Sequence, residues 1–191
     1  MRKVKYFVAN SLDGFIARED GSVDWLFMDG TDYGMSEFFR SIDTVLLGRK
    51  TYEFALSHSP KPKGKGRKAK GGASFGGGMR SYVFSRTLKA AEGEEVNIIS
   101  ENAGEFVRRL KVEEGKDIWL MGGGELAGSL FAENVVDEIN LNIHPVLLGS
   151  GIELFPEIGK QLDLELIECK PYPNGCVQVT YRVKNRSGDV P

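Results

Sequence analysis

The strongest constraint in this sequence is a repeated junction, in which a short apolar run ends at small or hydroxyl residues and a helix-like segment follows. The clearest example is residues 118–131, which contain three successive glycines; residues 44–48 and 81–85 repeat the pattern with one glycine and one serine. Alternation of buried strands with helices is typical of α/β proteins. The sequence therefore predicts a central, mostly parallel twisted sheet with helices on both faces.

Other segments complete this fold. Residues 4–10 read as a buried first strand, and residues 33–41 as a short helix with Phe38 and Phe39 turned inward. Residues 137–144 alternate polar and apolar side chains, which is typical of a strand with two unlike faces. Two further runs, joined by a turn rich in proline and glycine, predict an antiparallel C-terminal hairpin: residues 164–168 and 177–183.

Length and charge narrow the class of protein. The chain has 191 residues and a formal net charge of −2, which predicts one domain over residues 1–185, followed by a frayed tail at 186–191. The charge argues against a general nucleic-acid binder. No run has the length of a membrane span, and the N-terminus lacks an apolar signal segment, so we expect no membrane partner and a cytoplasmic location.

Residues 58–80 differ from the rest of the chain. They contain seven glycines and seven Lys or Arg, and no acidic residue occurs between Phe54 and Ala91. Such a segment cannot bury enough apolar surface to order itself. We interpret it as a flexible basic insertion, which is either a solvated loop or a means of attracting an anionic cofactor.

The three junctions are chemically suited to phosphate. Glycines allow close backbone approach, and a helix N-terminus carries partial positive charge, although residues 122–124 could also form a tight turn without a ligand. Residues 48–51 add a guanidinium, an ammonium and a hydroxyl, and Ser85 and Arg86 add another hydroxyl and guanidinium. Three such turns at one sheet edge match a dinucleotide, and an Arg beside Ser and Thr favours NADPH over NADH.

The same segments carry a family resemblance. Residues 45–53, 84–88 and 120–126, in that order, resemble the cofactor-binding motifs of dihydrofolate reductases. Residues 9–17 and 136–151 resemble more specifically the reductase domain of bacterial riboflavin biosynthesis, the RibD C-terminal domain. The resemblance implies a dihydrofolate reductase-like fold and an NADPH-dependent reductase, with a cis peptide bond between the first two glycines of the 122–124 turn.

Site residues follow from the resemblance position by position. Ala9 and Ile16 would lie near the nicotinamide, and the remaining cofactor-binding positions would hold the adenosine and the phosphates. These positions are Gly48, Arg49, Lys50, Thr51, Ser85, Arg86, Met121, Gly122, Gly123, Gly124, Glu125 and Leu126.

The proton donor and the substrate contacts are less sharply defined. Asp32 and Glu37 fall where dihydrofolate reductases place a carboxylate, and Asp13 is the alternative, although an Asp before Gly also forms turns. Trp25 either covers the substrate or holds its loop in place. His144 has no acidic or thiol partner at a recognisable spacing, which favours a structural role. No metal-ligand pattern is present.

The resemblance thus implies hydride transfer to a C=N or C=O group of a small heterocycle or ribosylaminopyrimidine, similar to that of 5-amino-6-(5-phosphoribosylamino)uracil reductase. Two other functions remain open: a dihydrofolate reductase, and a non-catalytic NADP-binding module. Apolar faces on the 137–144 strand and the C-terminal hairpin also predict a homodimer.

Overall fold

The structure, a computed structural model, describes residues 1–58, 79–90 and 96–184. The predicted basic insertion, 58–80, falls almost wholly outside these residues, and the predicted tail, 186–191, falls entirely outside them. No helix in the described part of the chain is both long and apolar enough to cross a bilayer.

The elements follow the predicted alternation. The strands are β1 (Val4–Ser11), β2 (Phe15–Ala17), β3 (Ile42–Gly48), β4 (Arg80–Phe84), β5 (Val96–Ile99), β6 (Asp117–Gly122), β7 (Glu138–His144), β8 (Ile152–Glu153), β9 (Asp163–Pro171) and β10 (Val177–Lys184). The helices are α1 (Met35–Ser41), α2 (Arg49–His58), α3 (Ala103–Val112) and α4 (Gly124–Ala132).

Eight of the strands that the described residues form make one sheet, in the order β5-β4-β3-β6-β1-β7-β10-β9. Neighbours from β5 to β7 are parallel, whereas β10 is antiparallel to both β7 and β9. The short strands β2 and β8 pair separately. The predicted mostly parallel sheet with an antiparallel C-terminal hairpin is therefore confirmed.

A hydrophobic core lies on each face of the sheet, because strand side chains alternate between the two faces. The first core packs Tyr6, Leu46 and Leu120 against α3 and α4. The second core packs Val45, Leu47 and other strand residues against α1 and α2. Helices therefore cover both faces, as the strand-helix alternation predicts.

Helix α1 buries one of its two phenylalanines. Phe38 is buried against Phe7, with ring centroids 4.4 Å apart, whereas Phe39 is 38% exposed. Successive helical residues point about 100° apart, so both rings cannot face the sheet. The prediction that Phe38 and Phe39 both turn inward is thus wrong for Phe39, which meets Trp119 at the margin of the core.

Strands β1 and β6 separate towards their C-terminal ends. Their pairing stops at Tyr6 and Leu120, although β1 continues to Ser11 along β7 and β6 continues to Gly122 along β3. At Phe7, the first β1 residue beyond this pairing, the backbone carbonyl accepts a hydrogen bond at 3.1 Å from the indole Nε1 of Trp119 on β6. A split therefore opens in the sheet at its carboxyl edge, between two strands that are adjacent in strand order.

Candidate active site

Two of the predicted phosphate-binding turns are in contact. Gly123 has φ +97°, and a Cβ at this position would lie 3.2 Å from Gly48 Cα and 3.3 Å from Thr51 Oγ1. A Cβ on Gly48 would lie 3.8 Å from Leu126 Cβ. The Gly123 turn therefore needs glycine for its close approach to the Gly48 turn, whereas the contacts of a Cβ on Gly48 would be ordinary ones. The bond between Gly122 and Gly123 is trans, so the cis bond that the resemblance implies is wrong.

The N-terminus of α4 has backbone amides that are available to bind a ligand. The first helical bond runs from the Ala127 amide to the Gly123 carbonyl, which leaves Gly124, Glu125 and Leu126 without an intrahelical acceptor. No side chain in the described residues caps this helix, whereas Asn102 caps α3 by accepting from the Glu105 amide. An uncapped helix N-terminus that follows a glycine turn can bind an anion.

The third turn lies at the same edge. In the ladders, Phe84 at the end of β4 pairs with Gly48 at the end of β3. Ser85 Oγ then accepts hydrogen bonds from the Thr87 and Leu88 amides, at 3.2 and 2.9 Å, which fixes the turn and leaves Arg86 exposed at its tip. Arg86 makes no ion pair within the part of the chain that the structure describes.

Basic groups also surround the start of α2. Arg49 forms an exposed ion pair with Glu53 at 3.0 Å, four residues along the helix, and Lys50 is exposed. Such a pair contributes only about 0.5 kcal/mol. The Arg49 guanidinium can therefore exchange Glu53 for a phosphate at little cost.

The topology makes a crevice at this edge. Strands β3 and β6 are neighbours, yet α2 follows β3 onto the second core and α4 follows β6 onto the first core. Ligands bind where connections from adjacent strands leave to opposite faces. Ala9 and Ile16, both half-buried, lie at the end of β1 and in β2, beside the split between β1 and β6. Met121 lies on the β6 side of the split.

The three predicted catalytic carboxylates are all exposed. Asp13 accepts hydrogen bonds from the Ser11 hydroxyl at 2.6 Å and from the Leu148 and Gly149 amides, and these lower its pKa. Asp32 accepts from the amide and the hydroxyl of Ser36 at the start of α1.

Hydrogen bonds of this kind tie loops and cap helices. Asp13 joins the β1–β2 turn to the loop after β7, and Asp32 anchors the first turn of α1. Glu37, on the same helix, is exposed in the first turn. A catalytic role for any of the three stays a prediction.

Trp25 is buried and packs on His144. The Trp25 ring meets the His144 ring edge-on at 5.4 Å, and Phe27 and Tyr33 enclose the imidazole further, at 5.2 and 5.8 Å. Burial lowers the pKa of His144, so the ring is neutral at neutral pH. Its Nδ1 lies 3.6 Å from Cys176 Sγ, a partner that the sequence spacing did not indicate.

The loop that carries Trp25 is held down on β10 and the hairpin turn. Asn174 Nδ2 donates to Asp29 Oδ2 at 2.7 Å and also to the Tyr33 hydroxyl. Gln178 lies directly against Gly34, where a Cβ would approach its amide to 2.9 Å. This loop therefore covers the C-terminal end of β7 at His144.

The structure also buries polar groups that sequence reasoning missed. Among the described residues, five buried side-chain atoms have no hydrogen-bond partner: Arg2 Nη1, Asn10 Oδ1, Trp25 Nε1, Asn140 Nδ2 and Asn142 Oδ1. A buried unpaired group costs about 1–3 kcal/mol, so each needs an explanation. Four of the five belong to β1, β7 and the covering loop. Only Arg2 belongs to the opposite end of the sheet.

A signal for the β7 pair was present in the sequence. Asn140, Asn142 and His144 alternate with apolar residues, a pattern that also fits a strand with one face in water. The structure instead buries Asn142 and His144, at 4% and 2% exposure. The covering residues lie more than 100 positions earlier in the chain, beyond any local pattern.

Comparison with known proteins supports this architecture. The model of the RibD C-terminal domain matches residues 2–178. The uncharacterized protein YwjB of Bacillus subtilis (strain 168) is 38% identical over 182 residues, covering 94% of this chain and 97% of that protein.

Two solved structures share the fold. One, a protein from Shewanella sp. PV-4 assigned to riboflavin biosynthesis, has a TM-score of 0.78 at 23% identity, and the match covers 97% of this chain and 100% of that one. The other, dihydrofolate reductase from Enterococcus faecalis complexed with NADP(H), has a TM-score of 0.67 at 17% identity, over 96% and 97% of the two chains.

Proposed function

Because the chain belongs to the family of the RibD C-terminal domain, we propose that it is an NADPH-dependent reductase acting on a small heterocyclic or ribosylaminopyrimidine-type substrate. The observation that carries this proposal is the contact between the Gly48 and Gly123 turns, beside the split between β1 and β6. That edge combines close backbone approach, two helix N-termini and exposed guanidinium groups.

The residues present fit such a cofactor. The free amides of Gly124, Glu125 and Leu126 would bind the pyrophosphate, while the Glu125 carboxylate remains in solvent. Arg86 would hold the 2′-phosphate at the exposed tip of its turn. Asn10 Oδ1, a buried acceptor without a partner at the end of β1, would receive a donor from the group placed in the split.

NADPH supplies hydride from its nicotinamide ring when bound. The chain's own task is to position a planar substrate against that ring and to exclude water. Ala9 lies next to Asn142 in the β1–β7 ladder, so the predicted nicotinamide contact and the covered polar face of β7 are on neighbouring strands. Trp25 and its loop exclude water from that face.

Binding of the two nicotinamide nucleotides tests the proposal. We expect NADPH to bind more tightly than NADH, and Arg86→Ala to weaken NADPH binding about tenfold without changing NADH binding, because an exposed charge-assisted contact contributes about 1.5 kcal/mol. Arg109→Ala is the matched control, since Arg109 is an exposed arginine on α3 that pairs with Glu101. Equal binding of both nucleotides, unaffected by Arg86→Ala, would contradict the proposal.

Dihydrofolate reductase is the second candidate, favoured by the shared fold. It is the weaker one because Asp32 and Glu37, the carboxylates nearest the expected place, are exposed. A non-catalytic NADP-binding module would bind NADPH but would not oxidise it, whichever substrate is added. Following NADPH absorbance with dihydrofolate and with ribosylaminopyrimidines separates the three functions.

We also propose that the chain forms a homodimer through β9. This strand is at the edge of the sheet and exposes Leu164, Leu166 and Ile167 to 40, 55 and 45%. A long exposed edge strand with apolar side chains invites pairing with another chain. A second copy of the same strand would cover these side chains symmetrically.

A further inference from the structure

The covered face of β7 presents a matched but unpaired donor and acceptor. Asn142 is 4% exposed and its Oδ1 has no partner in the described residues; Trp25 is 7% exposed and its Nε1 has none there. No neighbouring group in the described residues forms a hydrogen bond with either atom, although most buried polar groups in proteins are hydrogen-bonded. Two unsatisfied groups of opposite character on one surface indicate a ligand that pairs with both.

The two groups lie on the same side of the sheet. His144 follows Asn142 by two residues on β7, so their side chains share a face, and the Trp25 ring packs on the His144 ring at 5.4 Å. Asn142 pairs in the ladders with Ala9 on one side and Gln178 on the other. Adjacent strands are about 4.8 Å apart, which places Asn142 one strand from the predicted nicotinamide contact.

The polar groups on this surface are uncharged. Besides Asn142 and Trp25, the surface has Asn140, whose Oδ1 accepts from the Thr180 hydroxyl at 3.0 Å while its Nδ2 remains unpaired. Burial lowers the pKa of His144, and Asp29, the charged group in the described residues that raises this pKa, is exposed and hydrogen-bonded to Asn174. A buried neutral surface disfavours a cationic ligand.

We propose that Asn142 and Trp25 are the specificity-determining residues of the substrate site, which bind a neutral planar ring through one acceptor and one donor. This inference rests on the proposed function and deepens it. The ring must carry an N–H donor, which Asn142 Oδ1 accepts, and a carbonyl oxygen, to which Trp25 Nε1 donates. Asn140 Nδ2 offers a second donor beside them. A site built on such pairs rejects rings that lack the complementary groups.

Uracil and 1,3-dimethyluracil are suitable probes because they share a ring and its two carbonyls, whereas only uracil carries N–H donors. Dissociation constants are measured by ligand-detected NMR on the NADPH-saturated protein and on the protein alone. We expect uracil to bind at least tenfold more tightly than 1,3-dimethyluracil. Asn142→Leu and Trp25→Phe should each weaken uracil at least tenfold, with NADPH affinity unchanged. Asn142→Asp keeps an acceptor oxygen at this position and should retain the preference for uracil.

Trp119→Phe is the matched control, because Trp119 is equally buried but its Nε1 already donates to the Phe7 carbonyl. It should leave the preference between the two rings unchanged. The inference is overturned if folded wild-type protein does not bind uracil, or if neither Asn142→Leu nor Trp25→Phe affects uracil binding. In that case the NADPH titration still tests separately whether the chain is a reductase. Conversely, Asn142-dependent uracil binding without NADPH binding supports this site and contradicts the reductase.

Discussion

Replacing Gly123 by alanine probes the junction on which the proposed function depends. With φ +97°, a non-glycine residue is strained by about 1–3 kcal/mol. Its Cβ would also lie 3.2 Å from Gly48 Cα, where the neighbour is backbone and cannot rotate away. We therefore expect Gly123→Ala to lower the free energy of unfolding by about 2–3 kcal/mol, which for a chain of this length lowers Tm by about 4–12 °C.

The control for this substitution is Gly48→Ala on the facing turn. A Cβ there would lie 3.5 Å from Gly123 Cα and 3.6 Å from the Gly122 carbonyl, which is ordinary contact, and Gly48 has no positive φ. Its unfolding free energy should change by less than about 1 kcal/mol. Thermal unfolding followed by circular dichroism measures both variants, and NADPH titration of Gly123→Ala should show at least tenfold weaker binding. A Gly123→Ala variant as stable and as tight-binding as wild type would show that neither folding nor NADPH binding depends on the close contact between the two turns.

Three other predictions concern stability and assembly. Trp119→Phe should lower Tm more than Trp25→Phe. The first substitution leaves the Phe7 carbonyl unpaired, which costs about 1–3 kcal/mol, whereas the second removes a donor that has no partner in the described residues. Equal losses of Tm in calorimetry would count against this. The pKa of Asp13 is lowered in the folded chain, so its stabilisation is present above about pH 4 and lost as pH falls through the folded value. Asp13→Asn should therefore reduce Tm at pH 7, and this difference should shrink as the pH falls through the lowered pKa of Asp13; a pH-independent difference would contradict it. Leu166→Glu should halve the mass that light scattering reports, and an unchanged dimer would place the interface elsewhere.

Much of the fold was predictable because buried parallel strands have a recognisable local sequence pattern. Residues 44–47 and 117–121 are short apolar runs that end at glycines, and such runs read the same way in isolation and in the folded chain. The strand-helix alternation then fixes helices on both faces. Helix α1 was predicted, but the inward direction of Phe39 was wrong, because successive helical residues point about 100° apart and Phe38 takes the buried position.

The candidate site was only partly predictable. The three turns could be named because glycine, serine and arginine after a strand carry a local chemical signal. The covered polar face could not, because Asn142 becomes buried only when the loop of Trp25 folds over β7. Likewise, the sequence could not show that Asp13 ties two loops together, since its partners Leu148 and Gly149 are 135 and 136 residues away.

NADPH binding at the glycine turn is tested most directly by a map of the amides that respond to NADPH in a ¹⁵N-labelled sample. We expect the largest chemical-shift changes at Gly122, Gly123, Gly124 and Glu125, with further changes at the starts of α2 and of the Ser85 turn. Amides of α3, whose N-terminus Asn102 already caps, should move little. If saturating NADPH leaves the 122–125 amides unshifted, or shifts mainly α3 or the β9–β10 hairpin, the glycine turn does not bind the cofactor.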